Sequence, residues 1–339
     1  MSDPTELPPR LSVQGSDLIK PNGKTIFLHG VSFGAWGEDQ PEDAQPVADL
    51  GANCVRIALR WHGLFSDPTV DARDNLGFAF LSSTHFTHWL DLITAASEAG
   101  LWVIPFIDSD CGQSGTQSPE VMRYCDPYQR WGARGRNFYT DPSLRKLFTT
   151  IVWPAAAARL RLIPRIAMLE LHAEPAPDRG PEYTPSVQQV YRECMDAVRA
   201  VDADTPFLVG ARGGYAIQHV DEAFLTERRD CVYTGNLLDQ WVSNPDKFDE
   251  GLEHLLRLRD DEDVPVFCQQ MGRKSENDPS CSLMARAVQR MREEDVGYAW
   301  WQWKQNTDSP DRYALHYKGP QNTWVEKTDE VNVLREGWT

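Results

Sequence analysis

Short, nearly continuous apolar runs alternate along the chain with longer stretches in which apolar residues recur every three or four positions. The short runs are 25–33 (TIFLHGVSF), 53–61 (NCVRIALRW), 101–107 (LWVIPFI), 165–172 (RIAMLELH), 206–211 (PFLVGA), 231–236 (CVYTGN), 265–270 (PVFCQQ) and 297–303 (GYAWWQW). Strands buried on both faces carry apolar residues throughout instead of alternating them, so these eight runs predict parallel strands. Helical periodicity is clearest at 84–100 and 186–204. Strands with helical stretches between several of them place the chain in the α/β class, and eight parallel strands with intervening helices close most naturally into a (β/α)8 TIM barrel. An open doubly wound sheet is the alternative. Its only glycine-rich candidate, GARGGY (210–215), lacks the GxGxxG spacing and reads as a loop. The expected organisation is an N-terminal extension and lead-in over 1–24 and a single barrel domain over 25–339. The stretch 109–140, rich in Gly, Pro, Ser and Arg, is too long for an ordinary βα loop and reads as a site-covering insertion after the third barrel strand. No internal repeat interrupts this pattern.

Composition narrows the partners. A chain of 339 residues with 41% hydrophobic residues can bury a large core. Lys+Arg 34 against Asp+Glu 50 leaves a formal charge of -16, which repels phosphate backbones and anionic lipid. Nucleic acid and membrane are therefore excluded as expected partners, and a small-molecule or carbohydrate-like ligand is favoured. The opening MSDPTELPPRLSVQG has no basic n-region or apolar h-region, and no run approaches the roughly 20 apolar residues of a membrane span. A cytoplasmic location is the expectation. Seven scattered cysteines without CxxC pairing argue against a disulfide framework and against a zinc ribbon. The pattern says nothing about oligomeric state.

Candidate chemistry gathers at the ends of the apolar runs, where barrel loops carry function. Glu170, His172 and Glu174 alternate along one strand and can line one face. Asp108 and Asp110 follow the third run; they suit binding of hydroxyls, a metal or a substrate cation, or pairing with arginine. Glu170, His172 and Glu174 with Asp108 could make a metal site, but no second His or Cys stands at ligand spacing, so neither metal nor cofactor is expected. Cys268, two residues before Gln270 and on the same face, reads as a core thiol. Trp300, Trp301 and Trp303 end the last run, where one exposed indole suits stacking on a sugar face and two belong to the core. Trp61, Trp131 and Trp241 lie in neighbouring loops and could complete an aromatic cleft, Trp241 most readily.

Five segments in chain order resemble the glycoside hydrolase family 5, or cellulase-type, pattern. IKPNGKTIFLHGVSF looks like the lead-in to the family's first strand, LGANCVRIALRW is similar to its second, LHAEP parallels the N-E-P of its fourth, PVFCQQMG its seventh and WWQWK its eighth. The resemblance runs from about residue 19 to 304 and implies a TIM barrel with its site at the C-terminal strand ends. Of the eight family site positions, Arg56, Glu174 and Trp301 keep the expected type. The others fall on Asp108, Ala173, Asn236, Leu238 and Gln270, and changes spread over four strands have the character of natural divergence.

A retaining glycosidase needs one carboxylate to attack the anomeric carbon and a second, roughly 5 Å away, to protonate the leaving oxygen. The resemblance puts the nucleophile on Gln270, an amide, which cannot attack. It leaves Glu174 as the acid/base, ionised when Gln270 is neutral and Arg56 is near; alternatively Glu174 is only a carboxylate held by Arg56. Arg56, Asp108, Asp110, His172, Asn236, Asp239, Trp241, Gln270 and Trp301 make the expected substrate-binding set around it. Three readings stand: a repurposed intracellular enzyme using Glu174 for proton transfer on a polar, sugar-derived molecule; a pseudoglycosidase that binds carbohydrate or a partner without turnover; and a glycosidase that recruits Asp108, Asp110 or Asp239 as second carboxylate.

Overall fold

The structure is a computed structural model that describes residues 7–34, 38–60, 64, 81, 83–108, 142–173, 184–210, 222–238 and 246–338. Two short strands, β1 (Ser12–Gln14) and β2 (Asp17–Ile19), pair as a hairpin through Gly15, whose φ of 58° lies in the left-handed region that favours glycine. The eight barrel strands follow: β3 (His29–Phe33), β4 (Cys54–Arg60), β5 (Trp102–Asp108), β6 (Leu169–Glu170), β7 (Phe207–Gly210), β8 (Cys231–Leu238), β9 (Val266–Gly272) and β10 (Gly297–Trp300). All neighbours are parallel, and β10 pairs with β3 to close the ring. Each strand falls within or against one of the eight apolar runs. A three-stranded sheet, β11 (Lys304–Gln305), β12 (His316–Lys318) and β13 (Trp324–Glu326), and the helix Thr328–Trp338 end the chain. The expected insertion, 109–140, lies outside the described residues.

Two cores follow from the two faces of each strand. Val55, Ile57, Val103, Ile107, Val209, Tyr233, Met271 and Trp300 face outward and pack with the surrounding helices. Cys54, Ile104, Met168, Leu208, Val232, Phe267 and Ala299 face inward, and Leu11 and Leu18 from the hairpin join them. The N-terminal segment is thus part of the barrel's packing and caps its interior.

Register orders the interior into rings. Arg56 is level with Ile104 on β5, and Phe106 is level with Glu170 on β6, yet Arg56 contacts Glu170. Two strands along, therefore, the same ring is reached two residues further on, as the strand tilt of a barrel requires. Applied around the barrel, this rule gives an apolar ring of Gly30, Ile104, Leu208 and Phe267. Above it come a ring of Arg56, Glu170, Thr234 and Ala299 and then one of Ser32, Phe106, Gly210 and Gln269. The polar residues enter the rings toward the C-terminal ends of the strands. The architecture puts the site there.

Candidate functional site

The next ring up begins the site. Asp108 is the last residue of β5 and is half-buried; His172 and Ala173 follow β6 and are buried. Asn236 on β8 stands level with Gln270 on β9, both 6% exposed, and the Asn236 amide Nδ2 donates to Gln270 Oε1 at 3.3 Å. Trp301 comes directly after β10, and its backbone N–H donates to the Met271 carbonyl at 2.7 Å. Gly272 is required here, because a Cβ on it would lie 2.8 Å from the Trp301 carbonyl oxygen. Of the three clustered tryptophans, Trp300 and Trp303 are buried and Trp301 is half-buried, so Trp301 is the one that can meet a ligand. The last residue of that motif, Lys304, turns away from the site and holds both carboxylate oxygens of Asp43 at 2.6 Å.

Beneath the ring of Ser32, Phe106, Gly210 and Gln269, Arg56 and Glu170 are both 0% exposed and form a two-pronged pair: Arg56 Nε donates to Glu170 Oε2, and Nη2 donates to Oε1 at 2.6 Å. The guanidinium carbon also sits 3.6 Å from the centre of the Phe106 ring. Burial pushes the Glu170 carboxyl above its usual range, while the Arg56 charge and hydrogen bonds pull it back. The carboxylate that holds Arg56 is thus Glu170. The strand alternation that picked out Glu170, His172 and Glu174 already contained this residue, but an ion pair between β4 and β6 requires the ring stagger to see.

A register shift changes a second expectation. Pairing of β8 with β9 slips between Gly235 and Asn236, so two β9 residues, Gln269 and Gln270, follow Cys268 where the partner strand advances by one. Cys268 consequently packs in the outer core with Val266 and Met271 and does not share the face of Gln270. Its thiol is pushed up to about 12 by burial, as befits a core residue. Gln269 is wholly buried, with its backbone N–H donating 3.0 Å to Thr234 Oγ1.

The segment after β6 that carries His172 is held by an unusual helix. Pro142–Lys146 and Trp153–Leu160 are α-helical, and Leu147–Val152 between them is a π-helix. In an α-helix, residues five apart point about 140° away from each other; the wider π turn brings them toward one face. Phe148 and Trp153 are such a pair, and both reach the end of β6. The Phe148 ring meets His172 edge-on at 5.8 Å, and Trp153 Nε1 donates to the Leu171 carbonyl at 2.9 Å. Neither contact is visible in sequence, because ordinary helical periodicity separates the two aromatics.

Asp110, Glu174, Asp239 and Trp241, with Trp61 and Trp131, lie outside the described residues. Among the described residues no group of three or more His, Cys, Asp or Glu could hold a metal ion. No described helix is long and apolar enough to cross a membrane.

A closed eight-stranded barrel with an aromatic and polar site at its C-terminal strand ends narrows the relatives. A description of the cellulase family, glycosyl hydrolase family 5, matches residues 19–307. The chain belongs to glycosyl hydrolase family 5. This family 5 barrel is similar to solved structures of an endogalactoceramidase (16% identity over 96% of this chain and 84% of that one, TM-score 0.75). It is also similar to a hyperthermophilic endocellulase from the archaeon Pyrococcus horikoshii (16% identity, 100% of both chains, TM-score 0.66) and a β-mannanase from Streptomyces thermolilacinus (18% identity over 91% and 89%, TM-score 0.58). At these identities the likeness is one of fold. No curated protein sequence matches the family 5 chain.

Proposed function

We propose that this glycoside-hydrolase-like barrel is a repurposed enzyme that uses Glu174 for proton transfer on a polar, sugar-derived small molecule and does not carry out retaining glycoside hydrolysis. The observation that carries this reading is the Asn236–Gln270 amide pair at the ends of β8 and β9. A covalent glycosyl intermediate needs an ionised carboxylate nucleophile at hand. An amide has none of that basicity, and its two hydrogen-bonding atoms suit it to recognition. Ala173 has no group to hold a sugar hydroxyl, and Leu238 has none to support a nucleophile.

On this reading Trp301 supplies a face for the ligand, and Asp108, His172, Asn236 and Gln270 supply polar contacts. Asp110, Asp239 and Trp241 belong to the loops that would complete the set, and Arg56 supports the floor from below. The carbohydrate chemistry named in the related family supports a polyhydroxylated ligand. The ligand remains in the small-molecule class, with no metal or cofactor assigned to the reaction and a cytoplasmic setting proposed for it.

A second reading has one observation in its favour: Asp108 ends β5 as a half-buried carboxylate on the site side, where it could serve as a relocated acid. The test is native mass spectrometry of the protein purified from its own host, followed by incubation of the released ligand with wild-type protein and with Glu174→Gln and Asp108→Asn variants. Conversion by wild type and not by Glu174→Gln is expected. A bound ligand that the wild type leaves unchanged would instead make the protein a pseudoglycosidase. Hydrolysis of an aryl β-glucoside lost in Asp108→Asn would establish the relocated glycosidase.

A further inference from the structure

We propose that the barrel interior contains a binding site for ordered water directly beneath the candidate site, built by Ser32, Arg56 and Gln269. Four polar atoms there are buried and have no hydrogen-bond partner among the described residues: Ser32 Oγ, Arg56 Nη1 and both amide atoms of Gln269. Ring geometry brings them together. Ser32 and Gln269 belong to one ring and Arg56 to the ring just below it, while Ser32 and Arg56 are also level on adjacent strands. The other ring members include Gly210 and Ala299, which project little or nothing inward; a Cβ on Gly210 would lie 4.0 Å from Gln269 Oε1. Below lies the apolar ring of Ile104, Leu208 and Phe267.

A buried amide that meets no partner costs about as much as a lost hydrogen bond at each atom, so native interiors satisfy such groups with protein or with water. Turning the Gln269 amide over does not help, since both its ends are unpaired. The donors are Arg56 Nη1 and Gln269 Nε2, the acceptor is Gln269 Oε1, and Ser32 Oγ can act as either. A guest must therefore both donate and accept. An ion is disfavoured: Glu170 already neutralises Arg56, and any further charge would be enclosed without a counter-charge. Water fits, since a buried water both donates and accepts and takes about two to four polar partners. Arg56 is then a positioning residue, bound to Glu170 on one edge and to water on the other, and it acts on a ligand through the floor it supports.

The test uses the full-length protein in two ways. A high-resolution crystal structure should show ordered water within hydrogen-bonding distance of the Gln269 amide and Arg56 Nη1. Oxygen-17 relaxation dispersion in solution should count fewer long-lived internal waters in Gln269→Met, which should also melt at a lower temperature because the waters lose their partners. Well-resolved density with no water at this place, together with a raised melting temperature for Gln269→Met, would overturn the proposal, since removing an unsatisfied amide from a dry core stabilises it. A bromide-soaked crystal with an anomalous peak between Arg56 and Gln269 would replace water by an anion and equally overturn it. Should Gln269→Met not fold, Ser32→Ala provides the same dispersion measurement.

Discussion

Arg56 and Glu170 face each other across the barrel from β4 and β6, joined by two hydrogen bonds and both without solvent exposure. Their pairing fixes the ring stagger, and it makes Glu170 the carboxylate that neutralises the floor of the site.

A buried ion pair adds little over a well-packed apolar pair, but removing one partner strands the other charge. Glu170→Ala should therefore destabilise the protein by about 3–5 kcal/mol, read as a fall in the urea midpoint. The double variant Arg56→Met, Glu170→Met should recover much of that loss. If Glu170→Ala is as stable as wild type, the pair does not hold the barrel interior.

The π-helix predicts a coupling between a distant helix and the site. Deleting Thr150, which is exposed, should restore ordinary α-helical spacing and turn Phe148 away from Trp153. The His172 ring proton signals should then move in an NMR spectrum, because the Phe148 ring current reaches them at 5.8 Å. Unchanged His172 shifts in a folded deletion variant would mean that the π turn has no part in placing this residue.

Lys327 gives the protein a signature in alkaline solution. Its ammonium donates to Ser275 Oγ at 2.7 Å and to the Arg312 carbonyl, and burial lowers its pKa to about 8, with the nearby Glu330 charge opposing the fall. In the unfolded chain it keeps its proton up to about 10.4. Between those values the unfolded state binds more protons, so this residue's contribution to stability rises with pH. The wild-type urea midpoint, taken relative to Lys327→Met, should increase from about pH 7.5 to about pH 10; a flat difference would show that Lys327 stays protonated in the folded protein.

The barrel was legible in the sequence because parallel strands buried on both faces leave continuous apolar runs, and each of the eight runs carries one strand. The hairpin at Ser12–Ile19 was not, since three-residue strands leave no periodicity of their own, and the same is true of the small sheet formed by β11, β12 and β13. The resemblance to family 5 places Asn236, Gln270 and Trp301 at strand ends, and the structure has each of them at or beside the end of its strand. Glu170 as the partner of Arg56 could not be placed in this way, because the pair depends on barrel stagger, and Cys268 was assigned to the wrong face because a bulge broke the two-residue alternation.

Restoring a carboxylate at one position should not restore hydrolysis. Gln270→Glu puts a charge beside Asn236 without supplying the side chains that Ala173 and Leu238 lack. The variant should show no retaining turnover of aryl β-glucosides at rates typical of a glycosidase. Recovery of such turnover by this one substitution would mean that the neighbouring positions contribute little.

Whether the site can form a glycosyl–enzyme bond is tested most directly by intact-protein mass spectrometry after incubation with an activated 2-fluoro-β-glucoside, which traps the covalent intermediate of a retaining glycosidase on its nucleophile. With Gln270 at the end of β9, the mass of the wild-type protein should remain unchanged while Gln270→Glu is run alongside as a comparison. A stoichiometric glycosyl adduct on the wild-type protein, mapped by peptide sequencing to Asp108 or any other carboxylate, would contradict the proposed loss of retaining chemistry.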